Sequence, residues 1–303
     1  MENVNLSMRG NVKGPQNTNK KVRSVGGSIA GIAAGSAVQT AVSVGAGKGV
    51  IAVMQKMGQL PEETIKTLHD AAEKALDISG MKAKGVKIKY IPQASKKVKG
   101  IQALLDPMTQ IKQGKNACFA PEGRQILTGE KIIINKIFMP EKSISFASFH
   151  EIGHSINYNN SAFWKTMQKM RMPGMILAAV PLLYGALSKK SVAAEGQELT
   201  KKQKANNFIR DNAGKLSFVA MLPMLAEEGM ASIRGVKLAK QTLDSGLAKH
   251  VVKGNCVAYL SYLGGAIAAG LAAATAVKIK DHFVEKKATK LAAQEQNTQA
   301  KAA

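Results

Sequence analysis

Cysteine and arginine are scarce in this chain, and acidic residues are few. Among 303 residues there are two cysteines, Cys118 and Cys256, 138 positions apart. Without a C-x-x-C pair, a disulfide framework, a zinc ribbon and a thioredoxin-type redox site are excluded, and both thiols are expected to be buried and inert. Only 20 Asp+Glu stand against 43 Lys+Arg, a formal net charge of +23, which brings an anionic partner into consideration. Just six of those cations are arginine: Arg9, Arg23, Arg124, Arg171, Arg210 and Arg234. Lysine is a strongly hydrated point charge, whereas arginine is favoured for bidentate reading of phosphates and bases. No zinc-finger spacing and no basic helix interleaved with aromatics accompanies the charge. The composition therefore argues for a basic surface facing solvent or lipid, and against specific nucleic-acid recognition. With 45% hydrophobic and 21% charged residues, the chain is neither disordered nor fibrous, and its length suits one large domain or two ordinary ones.

Residues 1–22 are polar, Asn-rich and basic, and read as a mobile tail rather than a secretory signal. A segment at 23–58 follows, in which residues 25–47 carry no charge and are rich in Gly, Ala and Ser. That length can span a bilayer, but its small side chains suit a membrane helix and a buried soluble hairpin almost equally. Pro61, Glu62 and Glu63 open an amphipathic helix with Ile65, Leu68, Ala72 and Leu76 on one stripe and Gly80 at its end. Strand-like runs lie at 86–91, 117–120 and 131–137. A helix is expected from about Ser143, carrying Phe146, Phe149, Ile152 and Ile156 at helical spacing. Residues 172–188, interrupted by Pro173 and Pro181, and residues 216–226 are apolar but short for a full crossing, and read as a dipping hairpin (172–226) or as buried core. Residues 255–277 are uncharged and bracketed by Lys253 and Lys278, which predicts a transmembrane helix. A polar tail at 278–303 closes the chain.

The chemically informative stretch is His150-Glu151-Ile152-Gly153-His154, an H-E-x-x-H inside the expected helix. Histidines at i and i+4 lie one turn apart on the same face, so both imidazoles can reach one Zn²⁺, with Glu151 beside the open position. Zinc lowers the pKa of a bound water towards neutrality, and an adjacent carboxylate can take its proton as it attacks a peptide carbonyl. Ala147, Ile152, Gly153 and Ile156 fit the extended signature of zinc metallopeptidases. A catalytic zinc needs a third protein ligand. The metzincin pattern fails, because Asn157 and Asn160 stand where Gly and His are required. In glutamate-ligand zincins the third ligand lies in E-x-x-[A/S]-D, which Glu228-Gly229-Met230-Ala231-Ser232 fits except that Ser232 replaces the Asp that orients the first histidine. Glu227 is the rival third ligand, and a surface pair of acids is the alternative to both.

Together with Asn116-Ala117-Cys118-Phe119-Ala120, an N-A-x-x-A run, and the apolar strand at 132–134, these motifs resemble integral-membrane zinc metallopeptidases of the HtpX and CAAX prenyl-protease type. The resemblance covers roughly residues 116–234. It departs at Ser232 and in having a single apolar segment before the motif region. It implies a zincin-like catalytic domain at 59–254, mainly α with a small antiparallel sheet (α+β), and two to four hydrophobic membrane helices. It also implies Zn²⁺ on His150, His154 and Glu228, Glu151 as the catalytic base, and Asn116 and Ala117 presenting backbone groups to an extended polypeptide substrate. Asn116 reads almost as well as a turn residue. For the oxyanion, His250, Tyr158, Tyr259 and Arg234 remain open. The expected function is hydrolysis of peptide bonds in membrane-associated polypeptides, with lipid and substrate as partners and no specific nucleic acid. The alternative is a non-catalytic basic membrane or envelope scaffold with a degenerate zincin fold.

Overall fold

The computed structural model describes residues 24–94, 106–124, 131–193 and 196–302; the stretch 1–22 lies outside the described residues. In chain order come α1 (Val25–Met57), α2 (Glu62–Ile78), β1 (Lys87–Ile91), α3 (Pro107–Lys112), β2 (Cys118–Arg124) and β3 (Lys131–Pro140). There follow α4 (Ala147–Asn160), α5 (Ala162–Lys169), α6 (Arg171–Leu187), α7 (Lys201–Asp211), α8 (Ala213–Ala220), α9 (Leu222–Thr242) and α10 (Ser245–Ala302). The described residues are mainly helical, with one three-stranded sheet in the order β1-β3-β2.

That sheet is mixed, where an antiparallel one was expected. β2 is antiparallel to β3, pairing Cys118 with Phe138 and Arg124 with Lys131, but β1 runs parallel to it, from Lys87 opposite Lys136 to Ile91 opposite Pro140. The long connection between them, which contains α3 and β2, provides the crossover that a parallel pair requires. β2 is an edge strand. Its ladder is irregular between Ala120 and Glu122, where Pro121 has no N–H to give, a residue tolerated at an edge rather than in a sheet centre.

Two compact units are each assembled from separate stretches of chain: Gln39–Ala178 with Phe218–Ala268, and Met1–Val38 with Ala179–Ser217 and Ala269–Ala303. The boundaries between the units fall inside α1, α6, α8 and α10, whereas the division expected from the sequence, at 23–58, 59–254, 255–277 and 278–303, is consecutive. In the first unit the core gathers Leu68, Ala72 and Leu76 of α2, Ile137 and Met139 of β3, Phe149 and Ile152 of α4, and Leu238 and Ala239 of α9. The α2 stripe is the predicted one. In the second, Leu182 and Ala186 of α6 pack with Ala213 and with Ala272, Ala273, Ala276 and Val277 of α10. Small residues set the spacing there: a methyl group added at Gly31 or Gly35 of α1 would stand 2.7 Å from the carbonyl oxygen of Ala276 or Ala272.

Among the described residues three helices are long and apolar enough to cross a membrane: α1, the α8–α9 stretch Ala213–Thr242, and Ser245–Ala300 of α10; the pair α5 and α6, bent by 47°, would make a fourth. The 216–226 run, too short by itself, belongs to a 30-residue helical stretch, because Glu227 and Glu228 are buried inside the fold and do not end it. Segment 255–277 is likewise only part of α10, which has 58 residues and at about 1.5 Å per residue extends roughly 87 Å, against a hydrocarbon thickness of about 30 Å. The tail after 278 continues that helix to Ala302. Cys256 on α10 is exposed rather than buried, and Cys118 is half-buried. Burial and the nearby Glu151 carboxylate push the Cys118 thiol up to about 12, so it stays protonated and unreactive at neutral pH.

Candidate metal centre

The pentad 150–154 lies in α4, in a turn-preceded helix that starts at Ala147 and not at Ser143. Its glycine explains how a second helix reaches the histidines. A β-carbon on Gly153 would collide with the carbonyl of Ala231, and one on Gly235 with the carbonyl of Phe149. Glycine on each helix therefore lets α4 and α9 pack backbone to backbone, and the side chains one turn away on α9, Glu227 and Glu228, are buried against His150 and His154.

Three lone-pair atoms converge there. His150 Nε2 stands 3.0 Å from Glu228 Oε2 and 3.0 Å from His154 Nε2, and His154 Nε2 is 3.5 Å from Glu228 Oε2. Tetrahedral ligands at about 2.0–2.1 Å from a zinc ion would be about 3.3 Å apart, so the triangle has the size of one face of such a site. Buried groups His150, Glu151 and His154, and also His154, Glu227 and Glu228, are close enough to hold a metal ion. The ring nitrogens facing away from the triangle are engaged too. His154 Nδ1 is 2.8 Å from Glu227 Oε1, and His150 Nδ1 is hydrogen-bonded to Ser232 Oγ at 3.1 Å. The Glu227 carboxylate can only accept, so it keeps the His154 Nδ1–H and leaves Nε2 inward, while Ser232 orients the His150 ring.

Without a cation the cluster holds a proton instead. Burial lowers the pKa of His154, but the carboxylates of Glu228 and Glu227 outweigh it and raise the value to about 10. Arg171, at the start of α6, is an ion-pair partner of Glu228 and lies 3.5 Å from Glu227. Asn157 Nδ2 donates to Glu227 Oε1 at 2.9 Å, and Tyr262 of α10 hydrogen-bonds to Glu228. Glu151 Oε2 accepts the backbone N–H of Phe119 at 2.7 Å, which ties it to the free edge of β2.

All four residues proposed for metal and base, His150, Glu151, His154 and Glu228, are thus brought together, with Ser232 behind the first histidine. Asn116 and Ala117 precede β2. The Asn116 side chain turns back on its own strand entry, donating to Gln110 and accepting the N–H of Ala117, which fits a turn residue; the edge group nearest Glu151 is Phe119 N–H. Of the oxyanion candidates, His250 is bound to the carbonyl of Met57 at 3.0 Å and Tyr158 donates to Glu122. Tyr259 lies over Gly229, and Arg234 is in electrostatic reach of Glu227. Arg171, Asn157 and Tyr262 were missed. Arginine scarcity was the one available signal for Arg171, and no local pattern marks Tyr262. Compared with models of protein families, with curated proteins and with solved structures, the chain matches none.

Proposed function

We propose that the chain is an integral-membrane zinc endopeptidase of the HtpX and CAAX prenyl-protease type, hydrolysing peptide bonds of membrane-associated polypeptides. The observation that carries this reading is the inward triangle of His150 Nε2, His154 Nε2 and Glu228 Oε2 with Glu151 on the same helix face. His150, His154 and Glu228 would hold the ion, which supplies the positive charge that makes water nucleophilic near neutral pH and polarises a carbonyl. Glu151 takes the proton of the attacking water and passes it to the departing amine, as a general base and then acid. Glu227 and Ser232 hold the two imidazoles in register from behind, and Arg171 offsets the charge of the paired glutamates. An extended substrate adds to the free edge of β2 near Phe119, where backbone hydrogen bonds give affinity regardless of side chain. Membrane residence is supported by three helices long and apolar enough to cross and by helix contacts made through small residues, which suit association in lipid.

The test uses full-length protein purified in detergent, with zinc content and peptide hydrolysis measured side by side. Wild type should hold one zinc per chain and cleave, and Glu151→Gln should keep the zinc while losing about 10²–10⁴-fold in turnover. Undiminished turnover in Glu151→Gln removes Glu151 as the base, and a zinc-loaded wild type that cleaves nothing favours the scaffold reading.

A further inference from the structure

We infer that the unit built from α1 up to Val38, Ala179–Ser217 and Ala269–Ala303 carries a seat for an anionic lipid leaflet. The basic segments within it, 189–204 and 278–290, lie on the side of the membrane that is not translocated. The inference rests on the membrane half of the reading above and not on the zinc site.

The inside of this unit is apolar, around Leu182, Ala186, Ala276 and Val277. Its outside is apolar as well, with Val25, Ile29, Val180, Leu183, Leu187 and Leu271 exposed. Helices apolar on both faces are expected where the surrounding medium is itself apolar. The apolar zone stops at one polar layer. Arg210 of α7, its side chain fully buried, donates to the carbonyl of Gly185 at 2.9 Å and to Ser188 Oγ at 3.1 Å, and pairs with Asp281 of α10. Lys280 next to it donates to the carbonyl of Ser24 at 2.7 Å and also bonds Ser28. Tyr184 donates to Asn206 at 2.8 Å, and Asn206 donates in turn to the carbonyl of Lys189 at 2.7 Å. Three apolar helices, α1, α6 and α10, thus become polar at a level where their side chains touch one another or the polar helix α7. A tyrosine with its hydroxyl in that layer suits the headgroup region.

Past the layer the charge is one-sided. Residues 189–204 hold five lysines and two acids, and residues 278–290 five lysines and two acids. Lys190, Lys201, Lys202, Lys204, Lys278, Lys286, Lys287 and Lys290 are exposed. Flexible ammonium groups just outside an apolar zone reach phosphate oxygens while their stems remain in the interface. The same excess of lysine next to spanning helices keeps a segment from being translocated.

Two measurements test this on full-length protein. The first uses a Cys118→Ser, Cys256→Ser background with a single cysteine at either Gln197→Cys or Gln294→Cys, labelled in intact producing cells with a membrane-impermeant maleimide. Neither position should label until the cells are permeabilised; labelling of both from outside overturns the orientation. The second compares thermal stability in nanodiscs of phosphatidylcholine alone and with phosphatidylglycerol added. Wild type should unfold at higher temperature in the anionic discs, an advantage reduced by salt and lost in the Lys189→Gln, Lys190→Gln, Lys286→Gln, Lys287→Gln variant. Equal stability in both discs overturns the lipid seat, as does tighter binding to RNA than to anionic discs. If carbonate strips wild type from membranes, this inference falls with the membrane reading, whereas zinc-dependent cleavage by the stripped protein would leave the peptidase reading standing.

Discussion

Around Glu228 three lone-pair atoms face one another, whereas around Arg210 the guanidinium faces carbonyls, a hydroxyl and a carboxylate. Both places bury charge between helices held close by small residues: Gly153 and Gly235 in the first, and in the second Gly185, where a β-carbon would collide with Val277. The difference is in what each set lacks. In the Arg210 cluster the two terminal guanidinium nitrogens meet acceptors and the cation meets Asp281, which leaves Nε as the orphaned donor. The histidine–glutamate cluster has an excess of acceptors at its centre, and His154 must keep a proton to hold it together. A buried set with an excess of acceptors points to a cation that binds, and a set whose cation is already paired points to a structural clasp.

The sharpest way to break that contrast is to remove the converging atoms. His150→Ala, His154→Ala and Glu228→Ala should each abolish stoichiometric zinc, read by metal analysis of the purified protein, since each takes away one ligand. Retention of zinc in any of the three removes that residue from the ligand set.

Next in size is the clasp. Arg210→Met removes the partner of half-exposed Asp281 and leaves the carbonyl of Gly185 without its donor, and should destabilise the protein by about 1–3 kcal/mol, the cost of an unsatisfied polar group, seen as a lower Tm in detergent. Zinc content should be unchanged; loss of zinc in this variant would show that the two clusters are not the separate devices described.

A smaller effect separates the adjacent acids. Glu227 contacts the outward nitrogen of His154 and Glu228 the inward ones, so Glu227→Ala should weaken zinc by about 10–100-fold, the usual cost of losing the group behind a ligand. A titration with a competing chelator measures this, and complete loss of zinc would give Glu227 the ligand role.

The mildest test is pH. His154 is raised from 6.5 to about 10 in the metal-free fold. The stability from its proton is therefore fully present below 6.5 and lost as pH rises through about 10. Zinc needs that nitrogen free, so binding at pH 7–8 should release a proton, and affinity should climb by about tenfold per pH unit up to that range. Calorimetry in buffers of different ionisation enthalpy counts the proton; affinity that levels off above 6.5 would place His154 in an ordinary environment.

Much of this was legible in the chain because it is local. The i, i+4 spacing of His150 and His154 puts both on one face of any helix, and the α2 stripe needed only a period of 3.6. The strand runs were found within a few residues. β1 was read as part of an antiparallel sheet because strand direction depends on where the connection passes, which no strand residue records. The 216–226 run looked too short because charge at Glu227 and Glu228 normally ends an apolar helix, and only their burial beside His150, His154 and Arg171 removes that objection.

By itself the sequence determined the helix that bears the two histidines and Glu151, the excess of lysine, and the apolar lengths that can cross a bilayer, all properties of residues near one another in the chain. Only the tertiary structure decided that Glu228 faces the inward nitrogens while Glu227 stands behind His154, that Arg171 and Tyr262 join them, and that Lys280, Arg210 and Ser24 share one layer. Those are choices between neighbours on a helix or between distant helices. They depend on how closely two backbones approach, which at Gly153 and Ala231 is set by a missing side chain on one helix and a carbonyl on another.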